Sequence, residues 1–212
     1  MTHASSRVSA VRSVALSVPD LDKAEVFFTQ IWHLDVVTRS ADALYLRGTG
    51  ADHHLLALHR AEGPARIRCV TLRARHRDAL DEVARLAPQH GGRVLSPVGP
   101  VTEPGGGTAV TIADGDGRIF QLVWGDALHA DAREVVDRPS RLAHAVLNSH
   151  DVEITRRFLE DVLDFSLADR TRIMAFMRCN QDHHSLALGD TDNDALNHIA
   201  FLMPDLESVM RG

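Results

Sequence analysis

The chain is short of the residues that mark several function classes. Its 212 residues include only two cysteines, Cys69 and Cys179. Neither belongs to a CxxC pair, which argues against a disulfide framework and a zinc knuckle. Aromatic residues make up 5% of the chain, with Tyr45 the single tyrosine. No apolar run approaches the roughly 18 residues that a membrane span needs. The opening MTHASSRVSAVRS lacks the apolar core of a secretory signal. There is no basic run and no basic helix face, and the net charge of -6 favours solubility and disfavours nucleic acid as a partner. A soluble, cytoplasmic protein with neither membrane nor nucleic acid as partner is the expectation. The hydrophobic fraction of 44% and charged fraction of 25% are ordinary for a globular protein. The residue in excess is histidine, with 13 copies.

The sequence repeats itself. VRSVALSVPDLDKAEVFFTQIWHL (residues 11–34) and LAHAVLNSHDVEITRRFLEDVLDF (142–165) share few identities but one pattern. Each opens with a short apolar strand. Each then sets an aspartate, Asp20 or Asp151, at a helix N-cap. Apolar residues at helical spacing follow: Ala24, Phe27, Phe28, Ile31 and Trp32 in the first copy, and Ile154, Phe158, Leu159, Val162 and Leu163 in the second. Both stripes are expected in the core. ALYLR (43–47) then pairs with MAFMR (174–178), and DHHLLAL (52–58) with DHHSLAL (182–188), as two strands divided by a polar turn.

A second kind of unit lies between the copies. IRCVTL (67–72) reads as a strand and RDALDEVARLAPQHG as a helix stopped at Gly91 and Gly92. RVLSPV is a further strand, and GTAVTIADGDGRIFQLVW gives two more about the turn ADGDG. LNHIAFLMPDLESVMRG (196–212) begins that unit again. The expected architecture is α+β, built of paired βαβββ modules. Residues 8–125 make a complete N-terminal domain of two modules, and 126–140 a polar linker. Residues 141–212 supply one module and the start of another, so the second domain is expected to stop short. A half-built barrel exposes apolar strand faces and unpaired edges, which makes a homo-oligomer the expected state.

The segments RLAHAVLNSHDV, MAFMRCNQDHHSLAL and ALNHIAFLMPDLESVMRG resemble the catalytic domain of type I extradiol ring-cleaving dioxygenases. That family lies in the vicinal oxygen chelate superfamily, with glyoxalases and bleomycin-resistance proteins. The likeness is specific over 141–212 and more diffuse over 8–125. It implies two domains, each of two βαβββ modules folded as a half-open barrel. The first is metal-free. The second holds Fe(II), in some members Mn(II), with two histidines and one glutamate. It further implies cleavage of a catechol-type ring beside its two hydroxyls, with insertion of both atoms of O2. The family's metal histidines match His144 and His198. The histidine that assists proton transfer and oxygen activation matches His184.

Those residue types suit that chemistry. Two histidines and a carboxylate on one face of a metal leave three adjacent positions open. A catecholate can fill two and O2 the third, so that both reactants are held together. Strand alternation puts His144 on the face of Leu142 and Val146, and His198 on the face of Leu196 and Ala200. In the first copy Ser13 stands for His144 and Cys69 for His198. The family's carboxylate falls on the last strand of the second module, where the first copy reads DGDGRIFQ and offers Gln121. Ser, Cys and Gln make no sensible iron site, so the first domain is expected to be metal-free. The Cys69-to-Gln121 offset, carried to His198, sets the matching glutamate at about residue 250, past Gly212. His184 is expected to act as an acid–base group near neutral pH. His54 holds the equivalent place in the first copy, however, so packing alone is the competing role.

Asn148 suits either a turn or a substrate contact. Cys179 suits a buried strand end. Gly105 to Gly107 suit a loop, since no strand–loop–helix frame for a phosphate surrounds them. Two other functions compete with ring cleavage: a metal-free small-molecule binder of the same superfamily, and an inactive fragment. A lyase or isomerase using the metal without O2 is a third, and the DHHSLAL strand speaks against it.

Overall fold

The computed structural model describes residues 6–211, so the expected end of the second half at Gly212 lies outside the described residues. The chain runs β1 (Val8–Val18), α1 (Leu21–Val26), β2 (Asp35–Arg39), β3 (Ala43–Arg47) and β4 (Leu56–Arg60). It continues with β5 (Arg66–Ala74), α2 (Ala79–Leu86), β6 (Arg93–Pro100), β7 (Thr108–Ala113) and β8 (Ile119–Trp124). The third pass is β9 (Arg141–Ser149), α3 (Val152–Leu163), β10 (Ser166–Arg170), β11 (Met174–Arg178) and β12 (Leu186–Asp190). Then come β13 (Leu196–Leu202) and α4 (Leu206–Arg211). The βαβββ order therefore repeats, as the sequence pattern predicts, and the fold is the mixed α+β one of the vicinal oxygen chelate type.

The matched aspartates are helix caps. Asp20 accepts from the Lys23 N–H at 3.0 Å and Asp151 from the Ile154 N–H at 3.0 Å. α3 then buries Phe158, Leu159, Val162 and Leu163. Ile154, expected beside them, is 59% exposed. The first copy departs further from expectation. After α1 the backbone widens into a π turn at Phe27–Ile31, with the Trp32 N–H donating to the Phe27 carbonyl. A π turn adds a residue to the helical repeat, so an i, i+3, i+4 stripe no longer points one way. Phe27, Ile31 and Trp32 are consequently exposed rather than core, while Leu21 is buried and Ala24 and Phe28 pack against the core. Trp32 rests on Phe201 of β13, ring centres 5.2 Å apart.

Residues 8–124 form one sheet of eight strands in the order β2-β3-β4-β1-β5-β8-β7-β6. The strands from 141 onward form a second, of five, in the order β10-β11-β12-β9-β13. The opening strand has equivalent neighbours in each. β1 is parallel to β4 and antiparallel to β5; β9 is parallel to β12 and antiparallel to β13. Val14 faces Leu56 as Ala145 faces Leu186, and Ala15 faces Cys69 as Val146 faces His198. The match between the copies is therefore also a match of strand register.

A single apolar core runs through both sheets, from Leu58, Leu72 and Phe120 to Leu142, Leu159 and Leu188. Each wholly buried leucine contributes about 1.5–3 kcal/mol relative to an exposed one. At the junction Phe158 of α3 lies against Gly92, where a Cβ would sit 2.6 Å from its ring. Glycine at that position is what lets the ring approach. Arg7 ties the same junction, donating to the carbonyls of Asp161 and Val162 and pairing with Asp164 at 3.0 Å. No helix among the described residues is long and apolar enough to cross a membrane.

Candidate functional site

β9 lies between β12 and β13. Across the antiparallel pair His144 faces Ala200 and His198 faces Val146, so the two histidines are diagonal neighbours on one face. Their Nε2 atoms are 3.4 Å apart. His184, just ahead of β12, lays its ring on His144 with centres 4.2 Å apart, and Phe176 meets the His184 ring edge-on at 5.1 Å. The three histidines singled out in the sequence thus come together from three adjacent parts of one sheet.

Burial, and then the proximity of His184 and His198, push His144 down to about 4. Burial, and then His183, lower His184. Both rings are neutral at pH 7, which is the form that binds a metal ion. Two nitrogens each about 2.1 Å from one ion lie 3.4 Å apart when they subtend about 108° at it. The pair fits a divalent transition metal. Among the described residues no carboxylate oxygen joins His144 and His198 in a set of three donors all within 4.8 Å of one another.

The first sheet holds Ser13, Cys69 and Gln121 at the matched place. Ser13 Oγ accepts from Arg12 at 2.8 Å, and the Thr71 hydroxyl lies 3.5 Å from Gln121 Oε1. Burial pushes the Cys69 thiol up to about 12, so it keeps its proton. None of the three offers an imidazole or an anion. His54 also differs from His184 in its partner. Its Nε2 accepts from the Arg12 guanidinium, which can only donate. Arg12 is held in turn by Asp126 at 3.1 Å. The residue matching Arg12 is Ala143, which has no donor to occupy His184 Nε2. In both copies the adjacent rings are joined alike, His53 to His54 and His183 to His184, with Nδ1 atoms 3.0 Å apart.

Sequence reasoning missed the side-chain amides beside this site. Asn148, for which the sequence suggests a turn or a substrate contact, is not in a turn; it is a buried residue of β9. Its Nδ2 donates to Asn193 Oδ1 at 2.8 Å, and its Oδ1 accepts from Asn197 Nδ2 at 2.9 Å. Asn197 Oδ1 lies 2.9 Å from His198 Nδ1. The one available signal was the adjacent Asn197 and His198, and strand alternation argued against their contact.

A second cluster was also missed. Asp116, His150 and Asp194 bring three donor atoms within 4.8 Å of one another. Their carboxylates are already paired with a guanidinium. Arg118 binds Asp114 at 2.6 Å, Asp116 at 2.9 Å and Asp194 at 2.5 Å. His150 Nδ1 lies 2.7 Å from Asp194, a hydrogen bond that raises the pKa of His150. A metal ion here would compete with a guanidinium that binds both carboxylates and also donates to the Asn148 carbonyl and Thr155 Oγ1. The cluster is better understood as an ion network tying the turn after β7 to β9 and α3.

The family model of the Glyoxalase/Bleomycin resistance protein/Dioxygenase superfamily matches residues 141–211. Among solved structures, the Mn(II)-bound glyoxalase from Novosphingobium aromaticivorans is 31% identical, with a TM-score of 0.92 over 97% of this chain and 69% of that one. Homoprotocatechuate 2,3-dioxygenase from Brevibacterium fuscum, in its anaerobic complex with 3,4-dihydroxyphenylacetate, is 21% identical, with a TM-score of 0.86 over 97% of this chain and 67% of that one. A tyrosine-to-phenylalanine variant of that dioxygenase is 22% identical, with a TM-score of 0.85, and this chain spans 60% of its length. At such identity the dioxygenase likeness speaks for the fold alone. No curated protein matches the chain. With the family model on its second half and the glyoxalase likeness along nearly its whole length, the chain belongs to the Glyoxalase/Bleomycin resistance protein/Dioxygenase superfamily.

Proposed function

We propose that His144 and His198 are two ligands of an Fe(II) centre, with Mn(II) the alternative ion, that cleaves a catechol-type diol with O2. The observation that carries this reading is the 3.4 Å approach of two imidazole Nε2 atoms on a shared strand face. Nitrogens held that close can share one cation when each presents its lone pair to it. The bound metal would supply a Lewis acid that holds diol and O2 side by side.

The remaining work falls to residues of this chain. His184 Nε2, without the guanidinium that occupies His54, would accept the proton of a diol hydroxyl and return it as the ring opens. Phe176 and His144 hold the His184 ring from two sides. The first sheet would serve as the metal-free domain at 8–125, joined through 126–140 to the catalytic part at 141–212. A cytoplasmic homo-oligomer belongs to the same reading.

The test is oxygen uptake with a panel of catechols after anaerobic loading with Fe(II), on the native chain and on His144→Ala. Uptake with a yellow ring-opened product, lost in the variant, supports ring cleavage. No uptake from a folded, iron-loaded chain overturns it. A second reading, metal-dependent isomerisation without O2, is favoured by the 31% identity to a Mn(II)-bound glyoxalase. Turnover under argon with Mn(II) would select it.

A further inference from the structure

His198 sits at a break in strand regularity. Adjacent residues of a regular strand send their side chains to opposite faces. Between Leu196 and His198 the register with β9 shifts. The bulge leaves Asn197 with its amide beside the His198 ring, Oδ1 at 2.9 Å from Nδ1.

The direction of every hydrogen bond in this row follows from one backbone group. The Ala195 N–H can only donate, and it points at one side-chain atom of Asn193, 3.3 Å away, which is therefore Oδ1. That oxygen also receives Asn148, so Asn148 presents Nδ2 to it at 2.8 Å. Asn148 must then turn Oδ1 toward Asn197, which presents Nδ2 at 2.9 Å. Asn197 is left with Oδ1 toward the ring, and an oxygen without a proton requires His198 Nδ1 to carry one. Nε2 is thereby the lone-pair nitrogen, on the side that faces His144 Nε2.

The row is anchored at both ends. Asn148 is 9% exposed, so turning its amide would leave two buried groups without partners. The loop carrying Asn193 is pinned by the neighbouring Asp194, which Arg118 grips at 2.5 Å, and by the Ala195 carbonyl, which accepts from the Asn148 N–H at 2.8 Å.

We propose that Asn197, oriented by Asn148 and Asn193, is a positioning residue that holds His198 as its Nδ1–H tautomer and presents Nε2 to the metal. This rests on the reading of His198 as a ligand, but the tautomer can be tested without metal. The experiment is long-range 1H–15N correlation of the full chain, metal-free, at about pH 8, where imidazole is neutral, followed by Mn(II) titration. His198 should appear with Nδ1 protonated. Asn197→Ala should shift it toward the Nε2–H form and weaken Mn(II) by about 10- to 100-fold. Asn197→Asp, which keeps an acceptor at the ring, should restore the Nδ1–H form. A native His198 protonated on Nε2, or a tautomer unchanged by Asn197→Ala, overturns the proposal whatever the metal does. If the native chain binds no Mn(II) while the tautomer responds as described, the ligand reading fails and the positioning role of Asn197 stands.

Discussion

Ser13 on β1 and His144 on β9 occupy the same register position of the two sheets: the next residues, Val14 and Ala145, face Leu56 and Leu186 on the parallel neighbours. One place in the fold thus appears twice, once with a hydroxyl and once with an imidazole. The expected outcome of a Mn(II) titration followed by electron paramagnetic resonance is one bound ion per chain. His144→Ala should abolish it, and Ser13→Ala and Cys69→Ser should leave it unchanged. Two ions per chain, or binding indifferent to His144, would contradict the assignment of the metal to the second sheet alone.

His184 and His54 also share a position, yet only His54 has its Nε2 occupied, by Arg12. A proton-handling role for His184 separates turnover from metal binding. His184→Ala should lower kcat by about 10²- to 10⁴-fold and leave Mn(II) affinity within a few-fold of native. Equal losses in both would make His184 a structural support of His144, on which its ring is stacked.

The repeat made the fold legible. Period-2 and helical patterns recur in the same order, and the DHH strands fix the register of the copies without reference to coordinates. The meeting of His144, His184 and His198 was legible for the same reason, since each has a counterpart in the first copy that is chemically unlike it or differently bonded. The exposed stripe at Phe27, Ile31 and Trp32 was not, because a π turn leaves no mark in residue spacing. The Asn148–Asn197–His198 row depends on a bulge, and a bulge depends on the partner strand. The Arg118 network joins residues from three separated stretches of chain, which no local pattern links.

Arg118 is nearly buried, with a side chain 6% exposed, and Asp114 beneath it is 2% exposed. Removing the guanidinium leaves a carboxylate in the interior without its counter-charge. Arg118→Met should destabilise the chain by about 3–5 kcal/mol in urea unfolding. Asp194→Asn, at a more exposed partner, should cost about 0–1 kcal/mol. A milder Arg118 variant than Asp194 variant would show that the network is not organised around the guanidinium.

His54 makes stability depend on pH. Burial, then the Arg12 guanidinium, push it from the usual 6.5 down to about 2. Below 6.5 the unfolded chain takes up a proton that the folded chain refuses until about pH 2. The unfolded state therefore binds more protons throughout that window, and stability rises with pH across it. The contribution of neutral His54 is fully present above 6.5 and is lost as pH falls, at up to about 1.4 kcal/mol per pH unit. His54→Asn removes the titration. Its unfolding free energy, measured in urea at steps from about pH 7.5 to 4.5, should fall less steeply with acid than that of the native chain by close to one proton. Parallel slopes for the two chains would mean that His54 is protonated in the fold, and that the Arg12 contact is not the hydrogen bond described above.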